Sequence, residues 1–90
     1  MKISEIKIFK IPPNEGLVGF ASCIIEDCLF LGNIAIFSRA RDGFRLIFPE
    51  KKTKDNKVIR IYHPINKEFY FQIESEIINE FIKLNQIDET

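Results

Sequence analysis

The sequence predicts an α+β fold, an antiparallel sheet of about five strands followed by a C-terminal helix. Three observations carry this. Short alternating or apolar runs are punctuated by turn signals as far as residue 66. A single stretch, residues 67–84, then switches to helical periodicity. Composition supplies a core, with 46% hydrophobic residues and nine Phe, too apolar for a disordered chain. Ninety residues make one domain, read as residues 1–84 with 85–90 as a short polar tail. A chain of this size buries a little over ~60% of its unfolded surface, which leaves little room for a deep enzyme cleft beside a core.

Residues 3–10 place Ile6 and Ile8 on one side and Glu5 and Lys7 on the other, a half-buried strand. Pro12-Pro13-Asn14-Glu15-Gly16 ends it, because Pro cannot extend a ladder and Gly permits positive φ. Residues 17–25 form a second strand, Glu26-Asp27 a two-residue reversal, and residues 28–38 a third strand. Arg41-Asp42-Gly43 then reads as a three-residue hairpin loop with Gly at the left-handed position. That register opposes Ile36 with Phe48, Ala40 with Phe44 and Arg39 with Arg45. It collects Ile34, Ile36, Phe44, Leu46 and Phe48 on one face, whereas a two-residue loop would mix Arg39 and Arg41 into it. The opposite face holds Ala35, Phe37 and Ile47, so its apolar part calls for cover.

Pro49 closes the fourth strand, and residues 50–56 read as a charged loop without an apolar residue. Val58–Tyr62 is the fifth strand, stopped by His63-Pro64. Asn66 is placed to cap a helix by accepting from its first free amides. Phe69, Ile73, Ile77, Phe81 and Leu84 recur at helical spacing. A second row, Phe71, Ile78 and Ile82, lies off that stripe. This row and the apolar outer sheet face predict further burial, most simply in a homodimer.

No run of ~18 apolar residues exists to span a membrane. Upstream of the longest apolar stretch lie Glu5, Glu15 and Pro12-Pro13, and no small-residue cleavage site follows, so no signal peptide is expected. Cys23 and Cys28 are too few for a secreted disulfide scaffold. A cytoplasmic chain with reduced thiols is the expectation. A two-residue hairpin would put both cysteines on one face, diagonally and beyond ideal disulfide reach, as small core residues. With one His and two Cys there is no zinc set, and scattered glycines form no phosphate loop. His63 has no nucleophile or carboxylate partner by spacing, and His-Pro reads as a structural corner. Phe37 and Tyr62 are open to base stacking or to packing. No enzyme activity, cofactor, metal or small-molecule substrate is expected.

Charge is zero overall, thirteen basic against thirteen acidic residues, yet unevenly spread. Residues 39–60 hold eight basic groups, Arg39, Arg41, Arg45, Lys51, Lys52, Lys54, Lys57 and Arg60, against three acidic ones, a net +5. Residues 1–38 carry −1 and residues 61–90 carry −4. The local field, and not the net charge, attracts a polyanion, so the +5 block is a candidate phosphate contact.

Phe48-Pro49-Glu50-Lys51-Lys52, then Val58-Ile59-Arg60-Ile61-Tyr62-His63-Pro64-Ile65-Asn66, then a helix, resembles the SpoVG family of bacterial septation regulators (stage V sporulation protein G). The resemblance runs nearly without gaps over residues 1–84 and takes in the opening Ile-x-Ile strand, Ala21-Ser22, Asn33-Ile34 and Gly43. It implies a small, dimeric α+β fold that binds DNA and RNA and regulates gene expression, septation and sporulation. Family binding is associated with basic residues on or near the C-terminal helix, which carries over to Lys51, Lys52 and Lys67. The chain departs from the family pattern at Arg60, where the family has Asp, and at Glu50, where it has Ser. Its helix sets Lys67 and Lys83 against Glu68, Glu74, Glu76 and Glu80, a net −2 that repels phosphate. Contact with the nucleic-acid backbone is therefore expected to shift to residues 39–60. The competing reading is a dimeric protein-interaction module whose acidic helix docks a basic partner and which has lost nucleic-acid binding.

Overall fold

The structure, a computed structural model, describes residues 1–39 and 43–88, the last three by backbone alone. Strands β1 (Ile3–Asn14), β2 (Leu17–Ile25), β3 (Leu29–Ser38) and β4 (Phe44–Ile47) form an antiparallel meander in that order. Strands β5 (Glu50–Lys52) and β6 (Val58–Arg60) form a separate two-stranded ribbon, and helix α1 spans Lys67–Asp88. The α+β expectation holds. Two of its details are corrected. Glu50–Lys52, expected as loop, is a strand. Val58–Tyr62, expected as the sheet's fifth strand, shortens to Val58–Arg60 and pairs with β5. The chain reverses at Thr53–Asn56, where the Asn56 amide donates to the Thr53 carbonyl at 3.1 Å. Asn56 takes φ +63, a left-handed conformation that Asn tolerates well. The helix also continues four residues past the expected 84.

The core face of the sheet is kept apolar by two irregularities. On β1 the core-packed residues are Ile3, Ile6 and Ile8, spaced three and then two. A regular strand alternates every two residues. Glu5 takes up the extra position at φ +48, where the β1–β2 register shifts between Ser4 and Lys7. Strand β3 repeats the device. Leu31, Ile34 and Ile36 are buried, and Asn33 at φ +58 lies where the β2–β3 register shifts. On β2 Ala21, Cys23 and Ile25 alternate towards the core, and Ser22 between them is buried as well.

Each turn explains a boundary. Glu15 (φ +52) and Gly16 (φ +92) link Asn14 to its partner Leu17, a two-residue hairpin whose left-handed residues match the strand twist. Pro12 and Pro13 belong to the end of β1, in the stretch between Lys10 and Asn14 where the register with β2 is interrupted and neither residue has a ladder partner. At the next reversal Glu26 and Asp27 are both left-handed, and the Cys28 amide donates to Ile25 at 3.0 Å. Pairing resumes between Ile25 and Leu29, so Cys28 is an additional loop residue. The expected shared face for the cysteines is thereby corrected: Cys23 is buried and Cys28 exposed.

Between β3 and β4 the register pairs Ile36 with Leu46, Phe37 with Arg45 and Ser38 with Phe44. The Arg39 amide donates to the Gly43 carbonyl at 3.1 Å. The expected pairs Ile36–Phe48 and Arg39–Arg45 are therefore displaced by two positions. Because side chains alternate with period two, this even shift leaves every face assignment intact. Ile34, Ile36 and Leu46 are buried, and Phe44 and Phe48 pack on them. Ala40, Arg41 and Asp42 lie outside the described residues.

Asn66 caps α1 as expected, its Oδ1 accepting from the Phe69 amide at 2.9 Å. The stripe then docks on the sheet: Ile73, Ile77 and Phe81 are buried, and Phe81 meets Phe44 edge-on with ring centroids 5.0 Å apart. The opposite sheet face stays uncovered by the helix. It carries a cross-strand row of Phe9, Phe20, Ala35 and Ile47, one residue from each strand. Urea unfolding of Ile77→Ala is expected to show a loss of about 2–5 kcal/mol, and of Asn66→Ala about 1 kcal/mol. A loss below about 1 kcal/mol for Ile77→Ala would place the core elsewhere.

Candidate nucleic-acid interface

The ribbon holds five of the nine basic residues expected to meet phosphate: Lys51, Lys52, Lys54, Lys57 and Arg60, all exposed. Its pairing sets their directions. Lys51 lies opposite Ile59, Lys52 opposite Val58, and Glu50 opposite Arg60. The Thr53 amide continues the ladder to the Lys57 carbonyl at 2.8 Å, and the Lys57 amide returns a bond to Thr53 Oγ1 at 3.2 Å. Lys51 and Lys57 thus share one face, Lys52 and Arg60 the other, and Lys54 sits at the tip. The two ion pairs among the described residues, Lys2–Asp27 at 2.8 Å and Lys83–Glu80 at 3.9 Å, use none of these five cations. Even Glu50 and Arg60, directly opposite one another, make no ion pair.

Arg45 is exposed on β4 and Arg39 just beyond β3. Both lie near enough to Tyr70 for their charge to favour its ionised phenolate. Burial and the neighbouring Glu74 carboxylate outweigh them and raise the Tyr70 phenol. Tyr70 also lines a cleft of about 280 Å³ with Glu50, Arg60, Tyr62 and His63. Tyr70 is thus within reach of the charge of both arginines and beside the base of the ribbon. Arg41 lies outside the described residues. Lys67 opens α1 and is exposed, but the helix around it is acidic. Glu74 Oε2 is buried there with no hydrogen-bond partner among the described residues.

Tyr62 is a residue whose role the sequence left open, and the structure makes it an anchor. Its hydroxyl donates to the Gly32 carbonyl at 2.6 Å, in the irregular stretch of β3 beside Asn33. Its ring packs edge-on against Phe48, centroids 5.9 Å apart. Burial, and then the neighbouring Cys23, push its phenol up to about 12. Phe37 is half-buried. Cys23 is no activated nucleophile, since burial and the nearby Glu76 raise its thiol. His63 is exposed and makes no hydrogen bond or ion pair among the described residues. Among these residues no cluster of His, Cys, Asp or Glu is placed to hold a metal, and no helix is long and apolar enough to cross a membrane.

This arrangement of four-stranded meander, ribbon and helix is spanned almost entirely by one family match. The SpoVG family profile covers residues 1–83. This chain belongs to the SpoVG family. Relatives named as SpoVG septation proteins include one from Borrelia hermsii, 31% identical over 94% of this chain and 91% of its own length. Another, from Phytoplasma australiense, is 32% identical over 90% of this chain and 83% of its own. A third, from Bdellovibrio bacteriovorus, is 32% identical over the whole chain and 82% of its own.

In this SpoVG chain the His-Pro-Ile-Asn stretch is the joint between ribbon and helix. The Ile61 amide closes the ribbon on the Pro49 carbonyl at 3.0 Å, Tyr62 ties the strand end to β3, and Asn66 starts the helix. Ile65 between them is 92% exposed. Because folding raises the Tyr62 phenol from 10.0 to about 12, its contribution to stability is complete below pH 10 and is lost as the pH rises towards 12. Tyr62→Phe is expected to lower stability by about 1 kcal/mol at neutral pH and to flatten the alkaline decline. Chemical denaturation across that pH range checks both, and an unchanged decline would mean that Tyr62 does not anchor the joint.

Proposed function

We propose that this SpoVG chain is a cytoplasmic nucleic-acid-binding regulator of gene expression and septation, and that it grips phosphates with the β5–β6 ribbon. The observation that carries this is the set of five exposed ribbon cations without an ion pair among the described residues. An unpaired Lys or Arg meets a phosphate without first surrendering a carboxylate, and it releases condensed counterions when it does. Contacts of this kind give affinity and orientation with little sequence readout. Arg39 and Arg45 extend the positive surface towards Tyr70, while α1, at −3 over Lys67–Asp88, turns phosphate away.

The regulator is a homodimer on this reading. Phe71 is 63% exposed on the helix and Ile82 on the same row is also exposed, while Ile78 between them packs on the core, so the two ends of the row are apolar yet uncovered in one copy. Light scattering is expected to give about twice the 10.6 kDa chain mass. Phe71→Glu is expected to lower it to one chain, and a wild-type mass of one chain would overturn the dimer.

The experiment for the ribbon is a titration on duplex DNA and on RNA at two salt concentrations. Five phosphate contacts imply a log–log salt slope of about −4 to −5. The triple variant Lys51→Glu, Lys52→Glu, Lys54→Glu is expected to bind at least about 100-fold more weakly with an unchanged circular dichroism spectrum. Unchanged affinity would move the contact off the ribbon. A wild-type chain that binds neither polymer at low salt would contradict the proposal and favour the acidic helix as a docking surface for a basic protein.

A further inference from the structure

We infer that the sheet face opposite the helix stacks the bases of a single-stranded nucleic acid on Phe9, Phe20 and Phe30. The inference rests on the nucleic-acid reading above and adds to it a second contact and a strand preference. Phe9 and Phe20 are direct cross-strand partners on β1 and β2. Together with Phe30 of β3 they line one groove of about 310 Å³. Phe9 is 59% and Phe30 66% exposed, and a free aromatic ring in water is costly unless something packs on it.

The rings are positioned rather than loose. The Phe30 ring lies over Gly32, so close that a Cβ at that glycine would sit 2.7 Å from it. Phe9 and Phe20 stand side by side on paired strands of the sheet, whose other face is anchored by the helix.

Charge identifies the occupant. Lys7, two residues before Phe9 and opposite Ser22, lies at the groove and makes no hydrogen bond or ion pair among the described residues. No carboxylate is among the groups lining the groove. Aromatic rings lined by one cation, Lys7, and by no carboxylate match a polymer of flat bases joined by phosphates, because every base offers a π-face and every link a negative charge. A second copy stacked on the groove would offer Lys7 no carboxylate from the same lining to pair with. Duplex bases are already stacked on one another and cannot reach the rings, so the face selects single strands. The ribbon then holds phosphate of any strand, and the sheet adds affinity only where bases are free.

The test uses the full chain at low salt with two fluorescent probes, an oligothymidine and a mixed-sequence duplex, read by anisotropy. The double variant Phe9→Ala, Phe30→Ala is expected to bind the single strand about 10- to 100-fold more weakly and the duplex as well as wild type does. Phe9→Leu with Phe30→Leu, which keeps apolar side chains at both positions and guards against misfolding, is expected to lose single-strand affinity in the same direction. Single-strand affinity unchanged in both variants, with wild type binding, overturns the stacking surface and leaves the ribbon reading intact. A wild type that binds neither probe overturns the nucleic-acid reading and this inference with it. A variant whose mass by light scattering drops from two chains to one also overturns the inference, because the face is then a contact between copies.

Discussion

One helix covers one face of one sheet, and the rest of the molecule follows from that constraint. Ile73, Ile77 and Phe81 close over Ala21, Cys23, Ile34, Ile36 and Leu46. This is the single core available to ninety residues. To serve it, β1 and β3 each break their alternation at Glu5 and Asn33, so that Ile3 and Ile6 on β1, and Leu31 and Ile34 on β3, point the same way. The sheet's second face receives no helix, and the ribbon leaves the sheet altogether. The surfaces left for function are therefore those the core does not need.

Electrostatics is arranged along the same division. Neutrality of the whole chain is a sum of opposed blocks, and the structure separates them in space as well as in sequence. Cations collect on the ribbon and at the β3–β4 end of the sheet, where Arg39 and Arg45 act on Tyr70. The helix, with five acidic residues against two basic ones, is the most acidic element. What matters for a polyanion is less the count of lysines than their lack of partners. Lys2 and Lys83 are engaged with Asp27 and Glu80, while the ribbon's five cations are in no such pair among the described residues. In this SpoVG chain the charges thus make the ribbon a better place than the helix for the proposed phosphate contact.

Much of this was legible in the residues, for identifiable reasons. The helix announced itself through five apolar residues at helical spacing and a capping Asn, both local signals. The faces of β3 and β4 were read correctly despite a misplaced register, because the error was two positions and side-chain parity survived it. Strand β5 was not legible, since Glu-Lys-Lys has no apolar alternation and is held only by its partner β6. The bulges at Glu5 and Asn33 and the extra loop residue Cys28 depend on neighbouring strands, which a single stretch of sequence does not display. The Tyr62–Gly32 hydrogen bond joins residues thirty positions apart through a carbonyl freed by one of those bulges. At the candidate site the residue types were visible; that five of them share one unpaired ribbon was not.

The central proposal is that nucleic acid meets the ribbon and not the helix. Amide chemical shifts of the labelled chain, followed while an oligonucleotide is added at low salt, test it residue by residue. The account predicts perturbations concentrated at Lys51–Arg60, with the amides of α1 beyond its first turn unmoved. Perturbations confined to α1, with the ribbon silent, would contradict it.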